Sequence, residues 1–320
     1  MASTTIGQVS GASDALATLP GAEERTVALE DGAELAVTVA PGTADTTVAA
    51  GAVASGRAGD QPGVAGTSAA PTTAPTVLFA HGWTNNRSVW LPAARAVAAA
   101  GHPVVLYDQR GHGASTRGTA PLGVERLGDD LAALVQALDV RDAVLVGHSM
   151  GGFTIMSFAC RHRALLTERA RGLALVSTAA HGLSMRWMTP VVERLLRSRT
   201  VERVVRARGG SMFVRRALGR RPRPEAVRST RQMFVDTPAE VRAGFFATFG
   251  AMDLRLGLAD LELPTRVLVG DRDTLTPPRL SQVIADTIPG ARLERLPDAG
   301  HMLPLERTGQ VVEAVLALAR

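Results

Sequence analysis

Lysine is missing from the chain: all 35 basic residues of the 320 are arginine, alongside an abundance of alanine, a bias of composition as much as of function. Cysteine is almost missing. Cys160 stands alone, which excludes an intrachain disulfide and any cysteine-based metal site, and a reduced, cytoplasmic setting is expected. No apolar run approaches the roughly 20 residues of a membrane span. Residues 1–20 lack a basic stretch followed by an apolar one, so no export signal is expected. What is present is 46% hydrophobic, ample for a packed core.

Residues 1–22 are small and polar and read as a disordered segment. Glu24 to Ala40 alternates around Asp31-Gly32, the pattern of an antiparallel hairpin. Residues 41–75 are Gly, Ala, Thr, Ser and Pro and read as a flexible insertion. From Thr76 onward, short apolar runs alternate with helical periodicity at about 88–100, 127–138 and beyond Phe153. Such alternation predicts an α/β fold with a mostly parallel, doubly wound sheet covered on both faces. It stops between about His181 and Leu256, where the pattern is helical, and resumes at Arg266. The expected organisation is a core of residues 23–180 and 257–320 carrying an inserted helical cap, 181–256.

One stretch organises the rest. Ala143-Val144-Leu145-Val146 ends in Gly147-His148-Ser149-Met150-Gly151, and a helical pattern follows. A strand, a tight turn and a helix at Gly-x-Ser-x-Gly form a nucleophile elbow, which holds the serine hydroxyl clear of the sheet edge. A serine needs a base, and the base an orienting acid. In a parallel sheet these groups follow the carboxyl ends of strands. That condition selects His301, beyond the strand 292–296, with His181 as a rival. His162 reads as a solvated helix residue, and His102 sits at the wrong end of a strand. The same condition admits both Asp271 and Asp273 after strand 266–270; the spacing Gly270-x-x-Asp273-x-x-x-Pro277 favours Asp273, while Asp298 reads as a turn residue. Oxyanion donors are expected from the main-chain N–H of Met150 and from Trp83 in the loop after 76–80. His81 is expected to brace that loop.

The motifs His81-Gly82-Trp83, Asp108-Gln109-Arg110-Gly111-His112-Gly113, Gly147 to Gly152, Gly270-Asp271-Arg272-Asp273 and Gly300-His301 together resemble the α/β-hydrolase superfamily. The order serine, acid, histidine is that family's order. The resemblance implies catalytic Ser149, Asp273 and His301, an oxyanion hole at Trp83 and Met150, and a structural role for Asp108 to Ser115. Serine at the elbow separates the chain from epoxide hydrolases and haloalkane dehalogenases, which use aspartate there. The expected activity is carboxylic ester hydrolysis, of carboxylesterase or lipase type, without cofactor or metal. A thioesterase, a C–C bond hydrolase or a perhydrolase would use the same triad, and a binding protein on the same fold would use none of it.

Residues 186–231 hold 14 arginines against 3 acids, a formal +11 that leaves −6 for the rest of the +5 chain. Solvated helix faces are the plainer reading; an anionic substrate or a peripheral membrane contact is the sharper one. Aromatics are too sparse in this run for nucleic-acid stacking. Phe213, Phe234, Phe245, Phe246 and Phe249, with Met185, Trp187, Met188, Met233 and Met252, are expected to supply the core and an apolar acyl pocket.

Overall fold

The computed structural model describes residues 6–8, 19–43, 74–182, 189–207, 210–215 and 217–320. The expected flexible insertion therefore lies almost wholly outside the described residues, as do Met185, Trp187, Met188 and most of 1–22. Within that last segment one expectation is corrected. Ile6–Gln8 forms a strand, β1, paired antiparallel with β2 (Glu23–Ala28), because β2 otherwise presents an open edge. Leu19 is also buried rather than free.

β2 and β3 (Glu34–Ala40) make the hairpin predicted around Asp31-Gly32. β3 joins antiparallel to β5 (Val104–Tyr107). The other strands, β4 (Thr76–Ala80), β6 (Ala143–His148), β7 (Ala170–Val176), β8 (Thr265–Gly270) and β9 (Arg292–Leu296), pair in parallel. The order β1-β2-β3-β5-β4-β6-β7-β8-β9 reverses direction at β4. The chain runs from β4 outward to β5, then crosses back to β6 on the other side. A crevice opens at the carboxyl ends of β4 and β6, where ligands sit in open α/β sheets.

Alternating side chains supply two cores. Leu78, Leu145, Leu173 and Val267 face one side, where α2 (Val124–Ala137) and α3 (Met150–Arg161) pack. Val77, Phe79, Val144, Val146 and Leu268 face the other, under α1 (Leu91–Ala99) and α12 (Thr308–Leu318). Each fully buried aliphatic side chain contributes about 1.5–3 kcal/mol, so a sheet apolar on both faces dominates the stability. The remaining core helices are α4 (Arg163–Arg169), α10 (Pro278–Thr287) and the single turn α11 (Leu303–Glu306).

Between β7 and β8 the described elements are helices, α5 (Thr189–Arg197), α6 (Arg199–Arg206), α7 (Gly210–Arg215), α8 (Pro224–Asp236) and α9 (Ala239–Phe249), flanked by a bridge between His181 and Asp253. Phe245 and Phe249 of α9 bury themselves in the first core, so the insertion is anchored there. Most of its described arginines are exposed, including Arg194, Arg203, Arg215 and Arg228, as solvated faces require. Cys160 is half-buried, and its Sγ lies 3.5 Å from the Leu254 carbonyl. Among the described residues no helix is long and apolar enough to cross a membrane.

Candidate active site

Ser149 joins β6 to α3 with φ 51° and ψ −115°, a conformation costing about 1–3 kcal/mol that persists only where its surroundings enforce it. Three contacts enforce it. The Ser149 N–H donates to Val176 O at 2.9 Å, and Thr178 Oγ1 donates to Ser149 O at 2.8 Å. The third is the crossing of β6 and α3: a Cβ on Gly147 would lie 2.5 Å from Gly151 O. The serine thus stands at the sheet edge at the positive end of a helix whose first N–H groups have no acceptor within it. Met150 is the first residue of that helix.

His301 follows β9, and Asp273 follows β8. Their loops are pressed together, since a Cβ on Gly270 would strike the Ala299 and Gly300 carbonyls. His301 Nδ1 lies 2.8 Å from Asp273 Oδ2, with both side chains almost fully buried. Asp273 Oδ1 accepts from the N–H groups of Leu275 (2.9 Å) and Thr276 (2.8 Å), and Oδ2 also accepts from Thr276 Oγ1 at 2.8 Å. Burial pushes the Asp273 carboxyl up, but the His301 charge and hydrogen bond and the Thr276 donors outweigh it, and the net displacement is downward. An ionised Asp273 holds the proton of His301 on Nδ1 and leaves Nε2 as the basic atom. Asp271 is exposed, two residues away. Asp298 is exposed too and pairs with Arg272 at 3.1 Å.

His148 joins these loops, and reading the sequence for strand-end residues overlooked it. Its ring lies 4.8 Å from that of His301, and its Nε2 is 2.8 Å from His301 O. Its Nδ1 lies 3.5 Å from the Asn85 amide, and a Cβ on Gly82 would come within 2.7 Å of that nitrogen. Burial, with the His301 charge adding to it, lowers the His148 pKa to about 3. The ring is therefore neutral, with Nε2–H donating to the His301 carbonyl. Thr276 and Glu306 were overlooked as well. Glu306 accepts the N–H groups of Gly219, Gly300 and Met302 at 2.6, 3.1 and 3.0 Å, fixing the histidine loop. A side chain that acts by holding main chain carries no spacing signal.

His81 braces the loop after β4. It accepts from Gln109 N at 2.9 Å, its Nδ1 is 2.8 Å from Gly82 O, and burial lowers its pKa to about 4. Trp83, two residues on, gives its indole N–H to Arg242 O of α9 at 3.1 Å. Its ring meets Phe234, Phe246 and Phe249 at 5.8–6.4 Å between centroids. Phe245 instead stacks on His112 in the core, and the Phe213 side chain lies outside what is described. The rival histidines are elsewhere. His181 bridges to Asp253, His162 bonds Asp129 at 2.8 Å, and His102 bonds Pro75 O at 3.1 Å. Among the described residues no group of His, Cys, Asp and Glu is arranged to hold a metal.

Known proteins agree with this architecture. The chain is 26% identical to a bifunctional esterase/perhydrolase of Acinetobacter calcoaceticus over 78% of its own length and 93% of the relative's. It is 27% identical to a 3-oxoadipate enol-lactonase of Acinetobacter baylyi over 76% and 88%. A solved thermophilic esterase from Thermogutta terrifontis superimposes with a TM-score of 0.68 at 26% identity, covering 93% of this chain and 99% of that one. The family model for the alpha/beta hydrolase fold matches residues 75–308. With the elbow, the reversed strand order and that match in hand, the chain belongs to the α/β-hydrolase family.

Proposed function

We propose that the protein is a serine carboxylic ester hydrolase working through an acyl-enzyme. The observation that carries the proposal is the buried 2.8 Å pair of His301 and Asp273, packed against the ring of His148, the chain neighbour of a strained Ser149. In this reading Ser149 Oγ attacks the ester carbonyl as its proton passes to His301 Nε2. The C–O bond to the alcohol breaks, and the alcohol leaves with that proton. Water, deprotonated by the same nitrogen, then attacks the acyl-enzyme, and the acid departs as Ser149 Oγ regains its proton. The main-chain N–H groups of Met150 and Trp83 hold the oxyanion in both steps, a contribution of about 3 kcal/mol per donor. Asp273 stabilises the imidazolium without taking its proton.

The helical insertion acts in this proposal as a cap over the site. Its support is the Trp83 indole bond to Arg242 and the ring cluster of Trp83 with Phe234, Phe246 and Phe249, which offers an apolar wall for the acyl group. The relatives named esterase/perhydrolase and enol-lactonase act, by those names, at ester-type carbonyls, and linear esters and lactones present the same bond to Ser149. Ser149→Ala tests the proposal. Turnover of p-nitrophenyl acetate should fall by at least about 10³-fold, and covalent labelling by a fluorophosphonate should vanish. Unchanged turnover would overturn it.

A further inference from the structure

Beside the His301 loop lies a cavity of ≈ 370 Å³ lined by Arg220, Arg221, Arg223 and Arg307. Four guanidinium groups around one small space repel one another unless carboxylates separate them. Two acids, Asp298 and Glu306, also line it, but each is engaged elsewhere. Asp298 pairs with Arg272, and Glu306 accepts three main-chain N–H groups. Glu225, in the first turn of the adjoining helix α8, pairs with Arg228 at 3.1 Å and interacts electrostatically with Arg223 as well. Arg307 donates only to neutral carbonyls, those of Glu306 and Pro297 at 3.0 and 2.8 Å. Among the described residues the side chains of Arg220, Arg221 and Arg223 have no ion pair or hydrogen bond.

We propose that this cavity binds the dianionic phosphate group of a small monoester, through the four arginines. A tetrahedral dianion fits such a set because each guanidinium presents paired donors, and two negative charges offset the mutual repulsion. The remaining wall, from Pro222, Ala226 and Leu305, is apolar, and among the described residues no aromatic ring lines the space on which a nucleobase could stack.

The position gives the site a consequence. Arg220 to Arg223 lie on the strap leading into α8, whereas Arg307 belongs to the core, between α11 and α12. The strap already holds the histidine loop: His301 N–H donates to Ala217 O at 2.8 Å and Arg220 N–H to Asp298 O at 3.1 Å. An anion bridging strap and core fastens the loop that carries His301. The inference does not depend on ester hydrolysis, so an inactive Ser149→Ala protein should bind phosphate as the wild type does.

The test is thermal unfolding of the full chain in increasing inorganic phosphate, with chloride at matched ionic strength as the control. Phosphate should raise the melting temperature saturably by about 3 °C or more beyond chloride. The Arg221→Gln/Arg223→Gln protein, altered only at exposed side chains, should lose that rise while keeping its turnover of a neutral ester. Sedimentation with phosphatidic acid vesicles, against phosphatidylcholine vesicles, separates the two sources of the group. Retention on phosphatidic acid alone marks a lipid headgroup; binding of phenyl phosphate without retention marks a soluble ester. The proposal is overturned if phosphate and chloride act alike and neither vesicle retains the protein, or if the double variant responds as the wild type does.

Discussion

Asp271 and Asp273 are two residues apart in one loop and differ in burial and in hydrogen bonding. Four donors converge on the Asp273 carboxylate, and one is the imidazole of His301. Asp271 faces solvent. Asp273→Asn should therefore lower kcat for p-nitrophenyl acetate by about 10³–10⁴-fold, because an amide places an N–H against Nδ1 and favours the wrong tautomer. Asp271→Asn should change it less than about threefold. Steady-state kinetics of the two variants side by side decides the matter, and equal losses would refute the assignment. Both carboxylates were legible as candidates from their place after a strand. In the sequence only spacing separates them, because the bond that brings Asp273 to His301 joins residues that follow different strands.

The loop after β5 explains why its charges sit where they do. Arg110 is fully buried and binds Asp130 of α2 and Asp31 of the hairpin turn, at 2.6 and 2.5 Å. Arg87 binds Asp108 and Glu24 at 2.8 and 2.6 Å. These networks tie the hairpin, α2 and the loops after β4 and β5 into one unit beneath the site. Removing one partner strands a buried charge. Asp130→Ala should destabilise the protein by about 3–5 kcal/mol, read as a lower urea midpoint, with native-like turnover in the fraction still folded. A midpoint within experimental error of the wild type would show that the network contributes nothing net. From the sequence, the run Asp108 to Ser115 is recognisable as structural, but its partners, dozens of residues away, are not.

Across the whole molecule, three neutral histidines are locked in the interior. Burial lowers His81 to about 4 and, with neighbouring histidine charge adding to it, His112 and His148 to about 3, against an ordinary 6.5. Below pH 6.5 the unfolded chain takes up these protons while the folded one does not. Stability therefore rises with pH through this window and is lost as pH falls, by up to about 1.4 kcal/mol per pH unit for each histidine. Asp108 and Asp130, whose carboxyls burial pushes up, act in the opposite sense, so the histidine effect needs isolating. Urea midpoints between pH 7.5 and 5.5 should fall, and a His112→Asn variant should vary less steeply than the wild type. Identical slopes would show that His112 is not buried neutral.

By itself the sequence determined the class of fold, the elbow and the candidate strand ends. Each is written locally, as alternation, periodicity, or a glycine beside a serine where two backbones cross. Tertiary structure decided what depends on distant segments meeting. It distinguished Asp273 from Asp271 and gave His148 and Glu306 their hold on the His301 loop. It also directed the Trp83 indole to the insertion and gathered Arg220, Arg221 and Arg223 with Arg307 around one cavity. Those contacts join residues up to about half the chain apart, and hydrogen bonds to main chain can be made by almost any segment, so no local pattern records them.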